Sequence, residues 1–164
     1  MWIPTVEASN LFSLAAASLL AAVHSAGSRD RFDAELCDAA SSGNVSRVKA
    51  LLADGVSADS ADEDGTTALM AAAFAGEREI VELMLQAEAD PNLQDEAGLT
   101  ALMNAVIGDG EMNLEGAHSV FYDIIECLLE AGADVMLEDE NDFTASDYAA
   151  SYELDEIREP VPSR

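Results

Sequence analysis

Apolar and polar positions alternate along this chain in short blocks that read as pairs of helices. In the central stretch an Ala-rich run, Ala68–Ala75, ends at Gly76. The segment Glu77–Ala87 that follows places Ile80, Val81, Met84 and Leu85 at the spacing of one buried stripe. A turn at Asp62–Thr66 precedes the pair, and Ala89-Asp90-Pro91-Asn92 closes it. The pattern predicts a turn, an inner helix, a break and an outer helix.

This unit nearly reproduces itself 33 residues further on: Gly65 falls on Gly98, Thr67-Ala68-Leu69-Met70 on Thr100-Ala101-Leu102-Met103, and Ala72 on Ala105. One step back, Leu36, Ala39-Ala40 and Gly43 stand where Leu69, Ala72-Ala73 and Gly76 do. A sustained repeat of that length means a solenoid, because one unit cannot bury its own apolar face and must stack on its neighbours. The Gly-x-Thr-x-Leu turn, the Ala-rich helix, the Gly break, the Ile-Val-x-x-Met-Leu helix and the closing Ala-Asp-x-Asn together resemble the ankyrin repeat, from roughly Asp33 to Ile157. The resemblance implies an all-α, ankyrin-type helical solenoid of about three and a half repeats. Ala68 and Ala101 stand where that family usually has Pro, and Met70 and Met103 where it has His, which puts the His-mediated hydrogen bonding of the turn in question. Glu88 replaces the Gly expected after the second helix, at a cost of about 1 kcal/mol if the position is left-handed.

Taken in order, Met1–Gly27 carries the apolar run Leu11–Val23, with Leu11, Phe12, Ala15, Leu19, Ala22 and Val23 on one helical stripe. An N-terminal capping helix is expected there. A cleaved signal peptide is the alternative, although the segment lacks a leading Lys or Arg and carries Glu7. After a link at Ser28–Arg31, the repeat domain occupies 28–158, with helices expected near Asp33–Ser42 and Val45–Asp54 in the first unit. The third unit begins in register at Asp95, but its outer helix, marked by Ile124-Ile125 and Leu128-Leu129, arrives 11 residues late. The extra residues, 109–122, are expected as a loop at the helix-to-helix bend, either functional or merely tolerated. A half repeat opening at Asp139 caps the array with a helix near Ser146–Tyr152, where Ser146 and Asp147 are expected to face solvent. Residues 159–164 form a tail that Pro160 and Pro162 keep out of helix.

Composition narrows the function. Asp and Glu number 33 against 7 Lys and Arg, a formal charge of −26 that repels phosphate backbones and anionic membranes and attracts basic partners. Direct nucleic-acid binding and a membrane span are not expected. Cys37 and Cys127 are predicted on the inner faces of helices as free thiols, and His24 and His118 are isolated, so no metal and no cofactor is expected. The run Asp109–Gly116 has the alternating oxygens of a calcium loop but lacks the sixth-position Gly, and Val120 stands where the closing Glu is required. No nucleophile, phosphate loop or acid–base pair is spaced for catalysis, and the acids at Asp62/Asp64 and Glu138/Asp139/Glu140 read as solvated turn tips.

Stacked units of this kind present their turn tips and inner helices as one concave face. Read position by position, that face offers Glu63, Asp64, Thr66 and Phe74 from the second unit, Glu96, Leu99 and Ile107 from the third, and Glu140, Phe143 and Tyr152 from the cap. The resemblance implies partner contact at these positions. An apolar floor with an acidic rim suits a basic, partly apolar peptide or domain, so the expected function is non-enzymatic protein binding in the cytoplasm, with secretion as the alternative if residues 1–26 are a signal. The competing function is an acidic mimic of nucleic acid that blocks a DNA- or RNA-binding protein.

Overall fold

The computed structural model describes residues 31–112 and 118–152, which contain seven helices. They are α1 over 31–41, α2 Val45–Ala53, α3 Ala68–Ala75, α4 Arg78–Gln86, α5 Ala101–Met112, α6 His118–Glu130 and α7 Ala145–Ser151. The expected capping helix over Met1–Gly27 and the tail 159–164 lie outside the described residues. Among those residues the only strand-like pairing is an isolated antiparallel bridge between Ala61 and Thr67 across a turn.

The helices form two layers. α3 packs on α5 and α5 on α7, while α2 packs on α4 and α4 on α6. The layers differ as their sequences do. α3 is apolar around its whole circumference and buries Ala68, Leu69, Met70, Ala72 and Ala73; α4 is amphipathic and buries Ile80, Val81 and Met84. Small inner-layer residues permit the close approach: a Cβ added to Gly108 of α5 would collide with the carbonyl oxygen of Phe74 in α3. The core runs along the seam between layers, where Met70, Met84, Leu102, Ile124 and Leu128 are enclosed.

Each inner helix after α1 starts at the same residue type. The hydroxyls of Thr67, Thr100 and Thr144 accept from the N–H groups of Met70, Met103 and Asp147 at 3.3, 3.3 and 3.4 Å. Such a cap contributes about 1 kcal/mol to each helix. The Met-for-His replacement in the second unit does not leave the turn unbonded, since the Met70 sulfur accepts the Thr67 N–H at 3.4 Å. In the cap a true carboxylate takes that role, with Asp147 Oδ2 accepting the Thr144 N–H at 2.9 Å. Glu88 does adopt the left-handed conformation, at φ 63°.

The structure corrects four expectations about the helices. The insertion is largely helical in its described part: α5 has 12 residues and α6 has 13, against 8 in α3 and 9 in α4, so the added residues lengthen both arms of the hairpin. Phe121, on the added turn of α6, is buried because glycines make room for its ring. A Cβ at Gly76 would stand 3.2 Å from its Cζ, and one at Gly108 2.9 Å from its Cε1. Asp109 belongs to α5 and is buried, so the start of the supposed calcium-like loop is helix. Ser146 is also buried, for it occupies the place of Leu69 and Leu102 in a helix that still packs on α5. Cys127 is only half-buried on the outer helix α6; Cys37 is buried, its thiol donates to the Thr66 carbonyl at 3.2 Å, and both thiols are free.

Candidate partner-binding surface

The turn tips are built by one repeated device. Asp62 Oδ1 accepts the N–H groups of Asp64 and Thr66 at 3.0 and 2.9 Å; Asp95 Oδ1 accepts those of Ala97 and Leu99 at 3.0 and 2.8 Å; Asp139 Oδ1 accepts those of Asn141 and Phe143 at 2.8 and 2.9 Å. In each tip the same Asp donates its own N–H back, to the carbonyl of Thr66, Leu99 or Phe143. A carboxylate holding two amides at i+2 and i+4 fixes a tight turn without help from neighbouring strands. These aspartates are therefore structural acceptors; Asp62 and Asp95 are half-buried, and Asp139, expected as a solvated tip, is buried at 7% exposure.

The tips are tied to one another. The Glu96 N–H donates to the Asp64 carbonyl and the Glu140 N–H to the Ala97 carbonyl, both at 3.0 Å. The fit is close enough to exclude a side chain at Gly98, where a Cβ would meet the Asp139 Cα at 2.8 Å in a backbone with φ 81°. Further back, Asp59 Oδ1 accepts the Asp90 N–H at 2.8 Å, and Asn92 Oδ1 the Asp134 N–H at 2.6 Å. Consecutive units are thus stitched at two levels, and the row of tips is a rigid edge.

This edge and the inner helices place the predicted residues as follows. Glu63, Asp64, Glu96 and Glu140 are exposed along the tips, and Phe143 is 50% exposed among them. Thr66 is half-buried, and so is Leu99, which packs on the core. Phe74 and Ile107 are half-buried on adjacent inner helices. Tyr152 stands apart from the tips, its ring against Gly110 on the added turn of α5. Two residues of the same face were not among those read from the sequence: Asn104 and Tyr148, which follow Ala71 at the repeat step and are half-buried. The step itself pointed to them, but three unlike residues in succession gave no coincidence to notice.

Tyr148 is the more consequential. Its hydroxyl donates to Asp139 Oδ2 at 2.6 Å, and its ring lies 5.9 Å from that of Phe143 at 53°. Burial, the bond to Asp139 and the charge of that carboxylate push the Tyr148 phenol up to about 12. Burial alone would raise Asp139, but the hydrogen bonds from Tyr148, Phe143 and Asn141 outweigh it and hold the carboxyl below its ordinary value.

Among the described residues, three of the four basic side chains are paired, and Arg31 is exposed at the start of α1. Arg47 pairs with Glu35, Lys49 with Glu79, and Arg78 with Glu82 and Asp123, all on α1 and the outer helices. Among the described residues no group of three His, Cys, Asp or Glu is arranged for a metal ion, and no helix is long and apolar enough to cross a membrane.

A family model described as ankyrin repeats (3 copies) matches residues 36–139, more than half of the chain. The chain belongs to the ankyrin repeat family. The crystal structure of an ankyrin repeat domain from Acinetobacter baumannii AYE is similar, with a TM-score of 0.68 and 29% identity over 77% of this chain and 61% of that one. The mitochondrial disaggregases of Bos taurus and Homo sapiens are 43% and 41% identical over 61 residues. That match covers 37% of this chain and 9% of theirs, so the likeness is to one short stretch of those proteins. Ankyrin repeats are in general modules of protein–protein interaction.

Proposed function

We propose that this ankyrin array is a non-enzymatic module that docks a basic, partly apolar peptide or domain of another protein, in the cytoplasm, on the concave face made by its tips and inner helices. One observation carries the reading. The exposed carboxylates Glu63, Asp64, Glu96 and Glu140 stand on a rigid edge with Phe143 exposed among them, while Arg47, Lys49 and Arg78 are held on the opposite layer. Phe74 and Ile107 supply the apolar floor. Such a face draws in Lys and Arg at the rim, which speeds encounter, and leaves affinity to a few buried apolar side chains. Two free cysteines accord with a reducing compartment.

Selection of a displayed random-peptide library on the whole protein tests this. Enriched peptides are expected to combine Lys or Arg with aromatic or aliphatic residues, to bind more weakly as salt rises, and to lose binding to Phe74→Ala with Phe143→Ala. Peptides without basic residues, or binding indifferent to salt, contradict it. Loss on Glu63→Gln with Glu140→Gln but not on the Phe pair favours the phosphate-mimic reading instead.

A further inference from the structure

We propose that Phe143 and Tyr148 form the seat for a single cationic side chain, a lysine or arginine of the docked partner, held over the Phe143 ring and between the carboxylates of the last tips. The inference rests on the docking reading above and deepens it by naming where on the face the cation goes.

Phe143 is the most exposed of the large apolar side chains on the described residues, at 50%. It is not loose. Asp139 Oδ1 holds its N–H at 2.9 Å, the Asp139 N–H holds its carbonyl at 3.0 Å, and Asp139 Oδ2 takes the Tyr148 hydroxyl at 2.6 Å. One aspartate therefore holds both the Phe143 backbone and the Tyr148 hydroxyl, and the two rings meet with centroids 5.9 Å apart and planes inclined by 53°. Among the described residues this arrangement occurs in the last unit alone. The matching pairs are Thr66 with Ala71 in the second unit and Leu99 with Asn104 in the third.

The surroundings select a cation over an apolar occupant. Glu140 and Asp142 flank Phe143 on the same tip and are exposed, and Asp95 of the neighbouring tip is close enough to act on the Tyr148 phenol. An apolar group seated there would strip water from these carboxylates and return nothing to them. A guanidinium or ammonium meets the negative face of the ring and the carboxylates together. Among the described residues Arg47, Lys49 and Arg78 are bound to carboxylates of α1, α4 and α6, so these three do not compete for the rings.

The test uses acetyl-arginine amide as the probe, with uncharged, nearly isosteric acetyl-citrulline amide as control, titrated into the isotopically labelled full chain at fixed ionic strength. Arginine amide is expected to shift the amides of residues 139–148 saturably, and citrulline amide is not. Phe143→Leu keeps the apolar bulk and every carboxylate, and is expected to weaken the arginine probe about 2- to 5-fold, the range of an exposed cation–ring contact, with Phe143→Trp restoring it. Equal shifts with both probes, shifts centred elsewhere, or no change with Phe143→Leu overturn the seat. If the arginine probe fails while library peptides still dock on the face, only the seat falls; if the probe seats but no peptide is enriched, the docking reading falls and the seat stands.

Discussion

The Tyr148 hydroxyl donates to Asp139 Oδ2 at 2.6 Å, so the last inner helix is bolted through its side chain to the turn that precedes it. A hydrogen bond to a charged acceptor contributes about 1.5–3 kcal/mol, and Tyr148→Phe should cost close to the lower figure because the site is half-buried. Asp139 and Asp147 both titrate below the ordinary carboxylate value, Asp147 because the Thr144 hydroxyl and N–H donate to it. Their stabilisation is therefore fully present above about pH 4 and is lost as pH falls through the depressed folded values. Urea melts at pH 7 and at pH 3 should show the Tyr148→Phe deficit shrinking in acid. Comparing the two proteins cancels the repulsion among the other carboxylates, and a gap that widens in acid contradicts the assignment.

Gly98 presses on the neighbouring tip with a positive φ, whereas Gly132, at φ 90°, has nothing within 4 Å of the place its Cβ would take. Gly98→Ala should accordingly cost more than Gly132→Ala, about 2–4 kcal/mol against about 1, since strain is common to both and the clash belongs to one. Denaturation midpoints at equal slope measure the difference.

Phe121 anchors the lengthened hairpin by filling the space over Gly76 and Gly108. Truncation to Ala should cost about 3–5 kcal/mol, as for other buried aromatic residues. Val120→Ala, one residue away and exposed, should stay within about 0.5 kcal/mol. Thermal unfolding of the two variants separates a packed insertion from a tolerated one.

Glu88 bears a left-handed backbone that Gly accepts without a Cβ penalty. Glu88→Gly is expected to stabilise the array by about 0.5–1 kcal/mol, read as a higher melting temperature.

The repeated parts of this fold were legible because physical demands repeat with them. Thr67, Thr100 and Thr144 do occupy equivalent places, each capping an inner helix, and the register alone located them. The rest escaped for specific reasons. Phe121 has no mate in another unit, so periodicity is silent on it, and the lateness of the outer helix read as a loop although its described part adds a helical turn to each of α5 and α6. Asp139 carries a charge that predicts exposure, but a turn that directs two amides and a phenol at one carboxylate buries it. Ser146 is polar in a terminal unit, and it is buried all the same in a helix that packs on α5.

The central claim is that the partner lies on the tips and inner helices. Hydrogen exchange of the full chain, with and without the tightest library peptide, measures that most directly. Slowed exchange at residues 62–66, 95–99 and 139–143 and on the inner helices α3, α5 and α7 is the predicted result. Protection confined to α2, α4 and α6, with the tips unchanged, would contradict it.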